Sequence, residues 1–78
     1  MSILPILTAA KILRALLRGG FYVVRQVGSH VQLKHPKDPR ILVTVARHSR
    51  DITRSTFSSI LKQAHLSADE FLKLLGRR

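Results

Sequence analysis

Between Phe21 and Ala46 three strand-like runs follow one another with only short turns between them, and this limits the fold more than any other feature. "FYVVRQV" (21–27) is rich in β-branched and aromatic residues, "HVQLKH" (30–35) alternates polar with apolar, and "ILVTVA" (41–46) is apolar almost throughout. Gly28-Ser29 separates the first pair. "PKDPR" (36–40), whose two prolines bar a continuing ladder, is read as the turn between the second pair. Turns this short join antiparallel neighbours, because a parallel pair needs a crossover of about a dozen residues or more. The expected result is a three-stranded antiparallel meander whose third strand is apolar enough to be central or buried on both faces.

Helical spacing flanks the meander. Ahead of it, Ala9, Ile12, Leu13, Leu16 and Leu17 share one stripe, while Lys11, Arg14 and Arg18 recur on another. Thr8 can cap this helix and Gly19-Gly20 can end it. After a polar loop, "RHSRD" (47–51), a second helix is predicted over 54–64, with Phe57, Ile60, Leu61 and Ala64 on one stripe. In "LSADEF" (66–71), Ser67 and Glu70 have capping-box spacing and Leu66 with Phe71 fits a hydrophobic staple. A short third helix therefore runs from Ala68 to Leu75 and ends at Gly76. The order α-β-β-β-α, plus the terminal helix, predicts one two-layer α+β domain over 8–75, with residues 1–7 as an N-terminal extension. Helices before and after the meander can cover one face of the sheet, leaving the other open to solvent or a ligand.

Seventy-eight residues are enough for one small core, and without cysteine neither a disulfide nor a thiolate zinc site can staple it. Charge is the outlier: 14 Lys+Arg against 4 Asp+Glu, a formal +10. Such an excess favours a phosphate backbone, an anionic membrane or an acidic protein partner. No run approaches bilayer-spanning length and "MSILPILTAA" lacks a basic leader segment, so a cytoplasmic protein without membrane association is expected. No two histidines stand four apart and carboxylates are few, so no metal site, nucleophilic triad or cofactor is expected. Tyr22 is the one aromatic residue expected to reach the open face, which argues against single-strand binding by base stacking alone.

If Val31 and Leu33 face the core, His30, Gln32 and Lys34 face away from it. The residue of the first strand opposite His30 depends on loop length, with Gln26 and Arg25 as the alternatives. A solvent-facing imidazole can exchange protons with an RNA 2′-hydroxyl, and nearby Lys and Arg can stabilise a pentacoordinate phosphorane. His48 stands among Arg47, Arg50 and Arg54 close to a helix start, a setting suited to phosphate, with a solvated basic loop as the bland alternative. His35, just before Pro36, reads as a solvated strand-end residue, and His65 as a partner for the dipole at the end of the second helix.

The segments "GGFYVVRQVGSHVQLKHP", "ILVTVARHSRDI" and "SSILKQAHLSADEFLKLL" together resemble the HicA family of bacterial toxins, small mRNA interferases of toxin–antitoxin pairs. The likeness runs from about Ala10 to Leu75. Its most specific piece is the pattern of Gly20, Phe21, Arg25, Gln26, Gly28, Ser29 and His30. The family often has proline where Ala46 stands, and Thr53-Arg54-Ser55 replaces its common start to the second helix. The resemblance implies a double-stranded-RNA-binding-domain-like fold, ribonuclease activity on mRNA, His30 as the catalytic group and a HicB-type antitoxin that covers it. The leading expectation is a metal-independent endoribonuclease. RNA or phosphate contacts are expected from Arg25, Gln26, Ser29, Gln32, Lys34, Arg47, His48, Arg50 and Arg54, with Gly28 shaping the turn. The rivals are a non-catalytic RNA-binding module of the same fold and a basic face that serves mainly to dock an acidic antitoxin.

Overall fold

The computed structural model describes residues 7–47 and 51–76. Over these the chain is α+β, with β1 (Leu7–Thr8), α1 (Ala9–Arg18), β2 (Tyr22–Val27), β3 (His30–His35), β4 (Asp38–Ala46), β5 (Asp51–Ile52), α2 (Arg54–Ala64) and α3 (Ala68–Leu75) in order. β2, β3 and β4 form the expected antiparallel meander in that spatial order, and β1 pairs with β5 in a separate two-residue contact.

Each helix starts where a side-chain oxygen can take an otherwise unpaired backbone N–H. Thr8 Oγ1 accepts from Lys11 N–H at 3.3 Å and Thr53 Oγ1 from Thr56 N–H at 3.2 Å. At α3 the capping box is complete: Ser67 Oγ accepts from Glu70 N–H at 3.1 Å, and Ser67 N–H donates to Glu70 Oε1 at 2.8 Å. α1 ends at Gly19, with Gly20 at φ +97°, and α2 ends on His65 at φ +58°, a left-handed conformation unusual for a residue with a Cβ.

The core lies between the sheet and the helices. Ile12 and Leu16 of α1, Phe57, Ile60, Leu61 and Ala64 of α2, and Phe71 of α3 pack on Val31, Leu33, Val43 and Val45. Phe57 and Phe71 meet edge to face with centroids 4.9 Å apart, the arrangement their quadrupoles favour. Arg18 Nη1 ties α1 to the far end of α3 through the Leu74 carbonyl at 3.1 Å.

Four expectations need correction. β4 is an edge strand, not a central one, and is buried on one face: Val43 and Val45 are inside while Leu42 is exposed. Its outer edge is partly covered because Thr44 N–H donates to Gln63 Oε1 of α2 at 2.9 Å. The second turn is only Pro36-Lys37, and Asp38, Pro39 and Arg40 belong to β4. Pro39 is tolerated because the pairing breaks there, passing from Lys34↔Leu42 to His35↔Asp38. Asp51, read as the end of a loop, instead pairs with Thr8 as Ile52 pairs with the buried Leu7. His35 is not a solvated strand end: it is half-buried, its Nδ1 accepts from Lys37 N–H at 3.1 Å, and its ring stands edge to face on Phe21 at 4.9 Å.

Candidate nucleic-acid interface on the open sheet face

Val31 and Leu33 turn inward, so strand alternation puts His30, Gln32 and Lys34 on the opposite face. Cross-strand pairing extends each into a row. Val27, His30 and Ala46 form the first, Arg25, Gln32 and Thr44 the second, and Tyr22, Lys34 and Leu42 the third. His30 is exposed at the head of β3, and the residues of all three rows are exposed or half-buried. Neither alternative for the residue opposite His30 holds. The Gly28-Ser29 turn is two residues long, which puts Val27 there.

Arg25 reaches this face through a β-bulge. The pairing steps from Val23↔Leu33 to Arg25↔Gln32, leaving Val24 as an extra residue. A regular strand would have put Val24 opposite Gln32 and turned Arg25 to the helix side. With the bulge, Arg25 is beside Gln32 and diagonal to His30, a relation that spans about 7–8 Å across neighbouring strands. Lys34 is four residues along the strand from His30, about 13 Å at ~3.3 Å per residue. Of the two cations in these rows, Arg25 is therefore nearer His30 than Lys34 is.

The turn before His30 is set by Gly28, which takes φ +58° while Ser29 keeps a negative φ, the requirement of a II′ hairpin turn. Ser29 carbonyl accepts the Arg47 backbone N–H, carrying the ladder one step past Ala46. Gln26 and Arg47 belong to the helix side, where they line a groove of about 330 Å³ with Leu13, Arg14, Leu17 and Val23. Gln26 Nε2 also donates to the Gly28 carbonyl at 3.3 Å. These two expected contacts are thus not brought together with His30. Arg54 is exposed at the first position of α2, and His48 and Arg50 lie outside the described residues.

None of the chain's four carboxylates lies in the three rows. Asp38 is bound to Arg40, whose side-chain hydrogen bond holds the carboxyl below its ordinary value. Glu70 is held down likewise by the Ser67 backbone N–H. Asp51 is in β5 and Asp69 in the first turn of α3. Arg25 and Lys34 therefore project their charge to solvent without an acidic neighbour in their rows, which suits an anionic ligand. Among the described residues no three His, Asp or Glu side chains group as a metal site would require. Among them, too, no helix is long and apolar enough to cross a membrane.

Sequence reasoning missed Thr44 and Leu42 as members of this face. The signal was present, since the alternation of Val43 and Val45 already places both residues opposite them. The family model described as the HicA toxin of bacterial toxin–antitoxin systems matches residues 9–66, a span that contains every row of the open face. Comparison with curated proteins gave no match.

Proposed function

Since the chain belongs to the HicA family of toxins from bacterial toxin–antitoxin systems, we propose that it cleaves mRNA as a metal-independent endoribonuclease with His30 as general acid–base. The supporting observation is an exposed histidine on an uncovered sheet face, with a bulge that turns the Arg25 guanidinium toward the same side. The reaction is an intramolecular transesterification. His30 takes the proton of a ribose 2′-hydroxyl, the 2′-oxygen bonds to the adjacent phosphorus, and the bond to the 5′-oxygen breaks. Solvent water protonates the departing oxygen, and His30 returns its proton to solvent. The products are a 2′,3′-cyclic phosphate and a 5′-hydroxyl end.

Arg25 stabilises the extra negative charge of the phosphorane, which exists only near the transition state, and so lowers the barrier more than it tightens ground-state binding. Gln32 and Thr44 offer neutral hydrogen bonds to the same backbone. Lys34 acts farther along as a point charge for a neighbouring phosphate. A HicB-type antitoxin inhibits by covering this face, with carboxylates meeting Arg25 and Lys34, and the site of action is the cytoplasm, where mRNA is found.

The test uses antitoxin-free protein and end-labelled single-stranded RNA in EDTA, beside folded His30→Ala. Removing a positioned acid–base group should lower cleavage by about 10²–10⁴. Equal cleavage by both proteins would remove His30 from the chemistry. Intact RNA bound equally by both would leave a non-catalytic RNA-binding module.

A further inference from the structure

The third row of the open face is of a different kind from the other two. Tyr22 and Leu42, 44% and 42% exposed, flank Lys34 and leave an aromatic ring and an aliphatic side chain in solvent beside an ammonium group. This ring faces away from the core, and among the described residues its phenol makes no hydrogen bond that would account for its place.

We propose that Tyr22, supported by Leu42 and Lys34, is a stacking subsite for one unpaired base of a single-stranded RNA. The proposal rests on the ribonuclease reading, since it takes RNA to lie across the same face. An RNA strand running along β3 would meet His30, then Arg25 with Gln32 and Thr44, then the Tyr22 ring. Tyr22 is opposite Lys34, about 13 Å along the strand from His30, so the stacked base belongs to a nucleotide beyond the one whose phosphate is cut. The Lys34 ammonium is placed for the phosphate of that nucleotide. A paired base in a helix has no free face to offer a ring, so this subsite selects single-stranded or looped RNA. It also makes cleavage depend on the presence of a base at one position beside the cut.

The chain has one tyrosine and no tryptophan, so its intrinsic emission reports on Tyr22 alone. Full-length protein carrying His30→Ala, which leaves the RNA uncut, is titrated with a labelled 12-nucleotide single strand. Anisotropy of the label measures binding while tyrosine emission measures stacking. The expected result is saturable quenching that follows binding. Tyr22→Leu should weaken binding about tenfold and Tyr22→Phe hardly at all, because one base–aromatic stack contributes about the energy of a factor of ten. In the wild-type protein, an abasic site walked along the substrate should slow cleavage at one position, and Tyr22→Leu should remove that dependence. Full binding with unchanged emission, or Tyr22→Leu with wild-type affinity, would overturn the proposal and make Tyr22 a cross-strand packing residue. Quenching without cleavage would keep the subsite and refute the ribonuclease. Cleavage without quenching would do the reverse, and RNA that does not bind at all would refute both.

Discussion

Two histidines five residues apart on β3 should fail in opposite ways when replaced by alanine. An odd separation along a strand puts them on opposite faces: His30 on the open one, His35 against Phe21 on the other. His35→Ala removes an acceptor from Lys37 N–H at 3.1 Å and an edge-to-face ring contact at 4.9 Å. A net hydrogen bond and an aromatic pair each contribute about 0.5–1.5 kcal/mol, and a half-buried site falls toward the low end, so the loss should total about 1–2 kcal/mol. For a domain of this size that lowers the midpoint of thermal unfolding by roughly 5–15 °C. His30→Ala, at an exposed position, should stay within about 0.5 kcal/mol of wild type. Cleavage per folded molecule should reverse the order, unchanged in His35→Ala and lost in His30→Ala. Urea unfolding followed by circular dichroism gives the first comparison, and end-labelled RNA at a temperature where both variants are folded gives the second. His35→Phe, which keeps a ring but loses the acceptor, should recover about half of the stability. A His35→Ala variant as stable as wild type would refute the packing account, and one as inactive as His30→Ala while fully folded would place His35 in the site.

Four further outcomes follow from the same structure. Deleting Val24 makes the β2–β3 pairing continuous without moving Arg25 or Tyr22 from their partners, so the variant should fold within about 1 kcal/mol of wild type and still cleave RNA. Deleting Gln26 instead turns Arg25 to the helix side and should reduce cleavage about a hundredfold, measured on the same substrate. His65→Gly relieves a left-handed conformation that ends α2 and should add about 0.5–1 kcal/mol in urea unfolding. The Glu70 carboxyl is held below its ordinary value of 4.5, so its stabilising effect is complete above that value and is lost as pH falls through the lowered one. Glu70→Gln should therefore be less stable near neutrality and show a shallower loss of stability on acidification below pH 4.5, read from unfolding midpoints across that range.

What could be read from the sequence was what depends on near neighbours. The Ser67–Glu70 box, the Thr8 cap and the Gly28 turn involve residues at most three apart, and local spacing determines them. The alternation Val31/Leu33 against His30/Gln32/Lys34 likewise fixed which face the histidine takes. What was missed depends on distant partners. Nothing in "YVV" marks Val24 as the extra residue, because a bulge is defined by the strand opposite. The apolar run Ile41–Ala46 does not reveal that its outer neighbour is a helix side chain, Gln63, and not another strand. The contact of Leu7 with Ile52 joins residues too far apart for any local pattern. His35 looked solvated because its ring partner, Phe21, belongs to the segment before β2.

The two edges of the sheet are unlike. Gln63 caps part of β4, whereas β2 ends the sheet with Val23, Val24 and Val27 exposed and its outer edge unpaired by any described residue. Bare apolar edges are templates for pairing with another copy, and little in this one opposes it except the bulge and Arg25. A formal charge of +10 keeps copies apart, but that repulsion reaches only about 10 Å at 0.1 M ionic strength and ~3 Å at 1 M. Its colloidal stability is therefore electrostatic and should fail when screened: light scattering should report monomers in dilute buffer and growing assemblies in concentrated salt. Monomers in both would show that the bulge alone protects the edge.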